Sequence, residues 1–126
     1  MTRALSLRRL AALACLPLAL LLPACAGVAA PPLEVYQSLG SRQCERGGRT
    51  PAELAELLRA AGVPVQAVGC GHDGRMRPMV CGAADGRIAI IAIPAEQLAT
   101  AEQLGFWPLS ALPDARRLPC PAEPVR

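Results

Sequence analysis

Lysine and asparagine are absent from this chain, and aromatic residues nearly so: Tyr36, Phe106 and Trp107 are the whole set. A core with so few rings must be aliphatic, and a small domain of that kind often needs covalent help to be stable. There is a single histidine, His72, which argues against a closed zinc site built on paired imidazoles. No Cys-x-x-Cys pair occurs, so a thioredoxin-like redox role has no motif to stand on. A Gly-x-Ser-x-Gly elbow and a Gly-rich phosphate loop are likewise missing. Net charge is also absent once the N-terminal segment is set aside. The 13 basic residues are all arginine, and Arg3, Arg8 and Arg9 precede residue 25, leaving ten against ten acidic residues. The net charge of +3 therefore belongs to the first residues, and the remainder lacks the electrostatic footprint of a nucleic-acid binder.

What is present begins with those first residues. The positive stretch is followed by an apolar run from Leu10 to Leu22, broken by Pro17, and then by Leu22-Pro23-Ala24-Cys25. That order of charge, apolar core and small residues is the pattern of an export signal, expected over residues 1–24. The run is shorter than the roughly 20 apolar residues a membrane-spanning helix needs. Leu22-Pro23-Ala24-Cys25 resembles a bacterial lipobox, which implies that Cys25 is lipidated and becomes the first residue of the mature chain. Ala24-Cys25-Ala26 also offers a small-x-small cleavage site, which would release a soluble periplasmic or secreted protein. The expected location is thus the bacterial envelope, lipid-anchored and facing the periplasm, with the membrane as one partner.

Removing or lipidating Cys25, and losing Cys15 with the signal, leaves Cys44, Cys70, Cys81 and Cys120. An even set in an exported domain of this size predicts two disulfides. Three connectivities are open. A tight turn at 72–75 would place Cys70 opposite Arg77 and Cys81 opposite Gln66, out of register with each other. Cys70 and Cys81 would then each bridge to Cys44 or Cys120.

The segment 25–33, with Pro31-Pro32, reads as a tether, 34–120 as one disulfide-stapled domain and 121–126 as a tail. A β-compatible run spans 33–39. Thr50-Pro51-Ala52-Glu53 combines a cap, Pro at the first helical position and Glu at the third. With Leu54, Leu57, Leu58 and Ala61 at helical spacing and Gly62 as a left-handed stop, it predicts a helix over 51–61. Strands are expected at 63–68, 79–82 and 87–93, with turns at 71–74 and 84–87. The run Ile88 to Ile93 is apolar on both faces, which predicts the centre of a covered sheet. A second helix is expected over 94–104 and an edge strand within 106–112, the Pro-rich tail beyond being held only through Cys120. The sum is a small α+β sandwich: a mainly antiparallel sheet of 3–5 strands, two helices on one side and two disulfides.

Val35-Tyr36-Gln37-Ser38-Leu39-Gly40-Ser41, the 51–61 helix and Gly62-Val63-Pro64-Val65 together resemble the first half of a SPOR-type peptidoglycan-binding domain. The likeness covers about 30 residues and implies an α+β fold and a cell-wall partner. The Asp85-Gly86 turn and the cysteines of the second half depart from that pattern.

The densest functional cluster is the stretch 70–81. His72, Met76 and Met79 with Cys70 and Cys81 would suit a soft metal such as Cu(I). In an oxidising compartment those thiols become disulfides, and the reading preferred here is a loop with no metal and no cofactor. Catalysis would have to pair His72 with Ser38, Ser41 or Ser110. Glu53 and Glu56 read as a solvated helix face, and Asp73 and Asp85, each close before a Gly, as turn formers. Arg42, Arg46, Arg49, Arg75 and Arg77 stand on loops and read first as ordinary solvated charge, the alternative being guanidiniums that grip carboxylates of the cell wall or a protein partner. The expectation is a non-catalytic envelope lipoprotein that binds a protein or cell-wall partner and no nucleic acid. A periplasmic copper binder and a small secreted enzyme inhibitor are the alternatives.

Overall fold

The computed structural model describes residues 27, 30–45 and 47–122. The expected signal segment 1–24, Cys25 and Arg46 lie outside them. The elements are β1 (Leu33–Ser38), α1 (Pro51–Ala60), β2 (Ala67–His72), β3 (Arg87–Ile93), α2 (Leu98–Gln103), β4 (Trp107–Pro108) and β5 (Arg116–Leu118), with 3-10 turns at Ala95–Gln97 and Leu109–Ala111. The five strands form one sheet in the order β4-β1-β3-β2-β5, every neighbouring pair antiparallel. The first four strands and two helices follow the split β-α-β connectivity of ferredoxin-like folds, with β3 inserted between β1 and β2.

Strand β3 is the axis of the molecule, as its two-sided apolar run predicts. Leu33 to Ser38 pair with it along one edge and Ala67 to His72 along the other. Alternation sends Ala89, Ile91 and Ile93 to one face, where they pack with Val35, with Leu54, Ala55 and Leu58 of α1, and with Ala101 of α2. Ile88 and Ile90 point to the other face, against Leu112, Tyr36, Leu109 and Ala115. Both helices thus lie on one side and the segment after β4 covers the opposite side. Phe106 is fully buried in the helix-side core.

Helix α1 forms as its N-terminus dictates. Thr50 accepts from the Glu53 amide while the Glu53 carboxylate accepts from the Thr50 amide, a reciprocal capping box. At the far end Gly62 adopts φ +81° and the Val63 amide reaches back to the Leu58 carbonyl. Leu57, expected on the buried face, is half exposed, and Ala55 takes its place in the core.

Several expectations are corrected. The second strand is 67–72, not 63–68, and His72 belongs to it instead of to a turn. Its Val-Gly-Cys-Gly-His sequence puts Val68, Cys70 and His72 on one face and the glycines on the other. A Cβ on Gly71 would lie 2.7 Å from the Arg116 carbonyl oxygen and 2.8 Å from Ile90 Cδ1. Residues 79–82 form no strand, so β2 pairs with β3 across a loop from 73 to 86 and the expected tight turn at 72–75 does not exist. The second helix is a 3-10 turn followed by six α-helical residues. The edge strand within 106–112 is only two residues long. The C-terminal stretch is not held by Cys120 alone, because Arg116 to Leu118 pair with β2. Leu33, placed at the end of the tether, opens β1 opposite Ile93.

Candidate functional site

The loop 73–86 carries the densest chemistry of the chain, and its position follows from what fastens it. Cys81 is bridged to Cys44, and Cys70 to Cys120. The Cys70–Cys81 link is absent as expected, although for a different reason: Cys70 is paired inside the sheet while Cys81 lies across the loop beside the 41–45 segment. That segment holds the returning limb. The Gln43 amide donates to the Ala83 carbonyl and the Gly82 amide to the Gln43 carbonyl, at 2.8 and 3.0 Å. Gln43 Nε2 donates to the Pro78 carbonyl at 2.8 Å, and the Arg42 guanidinium to the Gly82 carbonyl at 2.7 Å.

The outgoing limb is held by a polar knot. Asp73 is buried and its carboxylate pairs with Arg77 and accepts from the Arg75 amide. His72 accepts at Nδ1 from the Gly74 amide, 3.0 Å, and its Nε2 lies 3.1 Å from the Asp85 carbonyl. An acceptor Nδ1 and a carbonyl at Nε2 match the tautomer with its proton on Nε2. The 3.7 Å approach of Asp73 to Nδ1 is accordingly no ion pair in that tautomer. Asp85 accepts from Ser41 Oγ at 2.8 Å and from the Arg87 amide at 3.1 Å. Gly86 has φ +78°, and a Cβ there would lie 2.5 Å from His72 Nε2, so glycine lets the imidazole close the base of the loop.

These contacts assign the candidates. Ser41, Asp85 and His72 come together, but the Ser41 hydroxyl is directed at the Asp85 carboxylate and both imidazole nitrogens are engaged by backbone groups. Ser38 accepts from the Gly40 amide. No hydroxyl is hydrogen-bonded to the imidazole among the described residues. For a soft metal, Cys70 and Cys81 are oxidised to different partners, the His72 lone pair is occupied, and Met76 and Met79 point into solvent. No group of three or more His, Cys, Asp or Glu side chains suited to a metal occurs among the described residues.

What the loop does offer is exposed apolar surface on a fixed frame. Met76 is 100% exposed, Met79 90% and Val80 57%, with Arg75 exposed between the knot and Met76. The sequence signals the residue types here but not their role, because a pattern of Met, Arg and Pro does not say which side of a loop faces water. Trp107 is also half exposed, on the short edge strand β4, whereas its neighbour Phe106 is buried in the helix-side core. The two disulfides indicate an oxidising compartment outside the cytosol. None of the helices among the described residues is long and apolar enough to cross a membrane. No family model, no curated protein and no solved structure matches the chain.

Proposed function

We propose that this chain is a non-catalytic, lipid-anchored bacterial envelope protein whose domain binds a protein partner through the loop 74–80. One observation carries the reading: Met76, Met79 and Val80 stand in water on a loop fixed at both ends by the Asp73–Arg77 pair, the Gln43 contacts and the Cys44–Cys81 bridge. Apolar side chains held out in solvent gain free energy only when something covers them. Methionine and arginine are enriched at protein interfaces, and a loop already fixed in shape loses less entropy on binding. The secreted-inhibitor alternative uses the same loop and differs only in the partner being an enzyme cleft. A cell-wall partner has less in its favour, since the loop's exposed side chains are mainly apolar.

The test is a photo-crosslinking residue at position 76, with a control at the exposed Leu57 of α1, in the organism that makes the protein. A defined adduct from 76 alone, competed by purified unlabelled protein, supports the reading. Equal adducts from both positions, or none, overturn it. Anchoring is read separately by labelled palmitate, which is incorporated into the native chain and not into Cys25→Ser.

A further inference from the structure

A second feature lies away from the loop tip, on the part of the helix-side face that the helices leave open. Val68 and Cys70 of β2 and Arg87 of β3 share that face with Ala89 and Ile91, yet Val68 remains 40% exposed. Between it, the first turn of α1 and the Cys70–Cys120 bridge is a cavity of about 430 Å³. Its walls are mostly apolar, built from Leu39, Val68, Pro51, Pro121 and the disulfide, and Arg49 and Arg87 also line it. Arg59, Arg77 and Arg117 each pair with an acid. The guanidiniums of Arg49 and Arg87 have no hydrogen bond or ion pair with any described residue. The helix terminus itself is not the attraction, since the Thr50–Glu53 capping box already serves it.

An apolar hollow with two guanidiniums unpaired among the described residues is complementary to a ligand with an apolar body and one carboxylate. The arginine fork matches a carboxylate's two oxygens, and the hollow falls in the size range of small-molecule sites. That volume suits a ligand of about a dozen non-hydrogen atoms. We propose that this cavity binds a medium-chain aliphatic carboxylate, its headgroup held by Arg49 and Arg87 and its chain against Val68 and the Cys70–Cys120 sulfurs. This site is independent of the loop 74–80, and either can fail without the other.

The probe is decanoate, titrated below its micellar concentration into the purified exported protein and followed by amide chemical shifts, with decanol as the neutral comparator. Saturable one-to-one binding is expected, with shifts at Ala52, Val68 and Arg87 and decanol weaker by about tenfold or more. Arg49→Gln and Arg87→Gln should each weaken decanoate by about tenfold with the thermal midpoint unchanged. Val68→Trp, which fills the hollow from an exposed position and leaves both arginines, should abolish binding. Decanol binding as tightly as decanoate, indifference to both glutamine variants, or shifts confined to 74–80 would each overturn the proposal. So would binding of short peptides through a free C-terminal carboxylate without binding of decanoate.

Discussion

Strand β3 and the loop that precedes it are neighbours in the chain and opposites in how they are held. From Ile88 to Ile93 every side chain is buried and the order comes from apolar contact on two faces. From Arg75 to Val80 most side chains are exposed, and the order comes from a disulfide, a buried carboxylate–guanidinium pair and side chains that bond the loop backbone. The difference is instructive. A segment that must keep its apolar side chains outside cannot be ordered by burying them, so its rigidity has to come from cross-links and polar contacts. Covalent and polar fastening around exposed methionines is the combination expected of a recognition surface, whereas either feature alone would be ordinary.

The comparison predicts opposite responses to substitution. Ile91→Ala removes a fully buried side chain of β3 from the helix-side core. It should cost about 2–5 kcal/mol, which in a domain of this size lowers the thermal midpoint by roughly 4–8 °C per kcal/mol. Calorimetry checks it, and a loss under about 1 kcal/mol would mean that β3 is not the axis of the core. Next in size, Cys44→Ser with Cys81→Ser opens a 37-residue separation and Cys70→Ser with Cys120→Ser a 50-residue one. Chain entropy grows only logarithmically with loop length, so the two losses should be similar, about 2–4 kcal/mol each. They separate in hydrogen exchange. Losing Cys44–Cys81 should raise exchange of the Gly82 and Ala83 amides while the β2–β3 ladder stays protected. Losing Cys70–Cys120 should loosen β5.

The fold was legible where one residue type has one physical use. Thr50-Pro51 and Glu53 can cap only a helix start, Gly62 suits a left-handed stop, and a six-residue apolar run flanked by turn residues belongs at the centre of a sheet. Strand β2 was misplaced because its signal is split between its faces: β-branched Val63 and Val65 lie before it, while its own sequence contains two glycines that look like a turn. Gly71 is in the strand because Ile90 and the Arg116 carbonyl need the space above it, while a Cβ at Gly69 would meet only ordinary contacts. The exclusion of Cys70–Cys81 came out right from a turn that does not exist, so the disulfide pairing was not legible. The choice between Cys44 and Cys120 depends on the 41–45 segment running beside residues 82–85, a long-range pairing with no periodic trace. His72 was the most ambiguous residue of all. A lone imidazole reads as ligand, base or structural group until its neighbours are known, and here both nitrogens serve backbone groups.

The knot at the loop base gives the third effect. Asp73→Ala strands the Arg77 guanidinium, which is itself mostly buried, and frees the Arg75 amide. Unsatisfied groups of this kind cost about 1–3 kcal/mol, and the change should be confined to the loop. Denaturant melting gives the size, and amide exchange at Gly74 and Arg75 gives the place. An equal rise in exchange along β3 would show that loop and sheet form one cooperative unit, and the contrast drawn between them would fail.

Smallest in stability and sharpest in meaning is the double substitution Met76→Asp with Met79→Asp. Both side chains are exposed and neither makes a contact that holds the loop, so the stability change should stay within about 0.5 kcal/mol. Replacing apolar surface with charge should nevertheless abolish the crosslink formed from a reporter at the neighbouring Val80. Ile91→Ala, despite its large cost, should leave that crosslink intact below its melting temperature. A protein whose most destabilising change spares binding, and whose least destabilising change removes it, separates scaffold from surface by experiment. If the methionine pair instead lowers stability by 1 kcal/mol or more, those side chains are packed in solution, and the loop is part of the scaffold it was contrasted with.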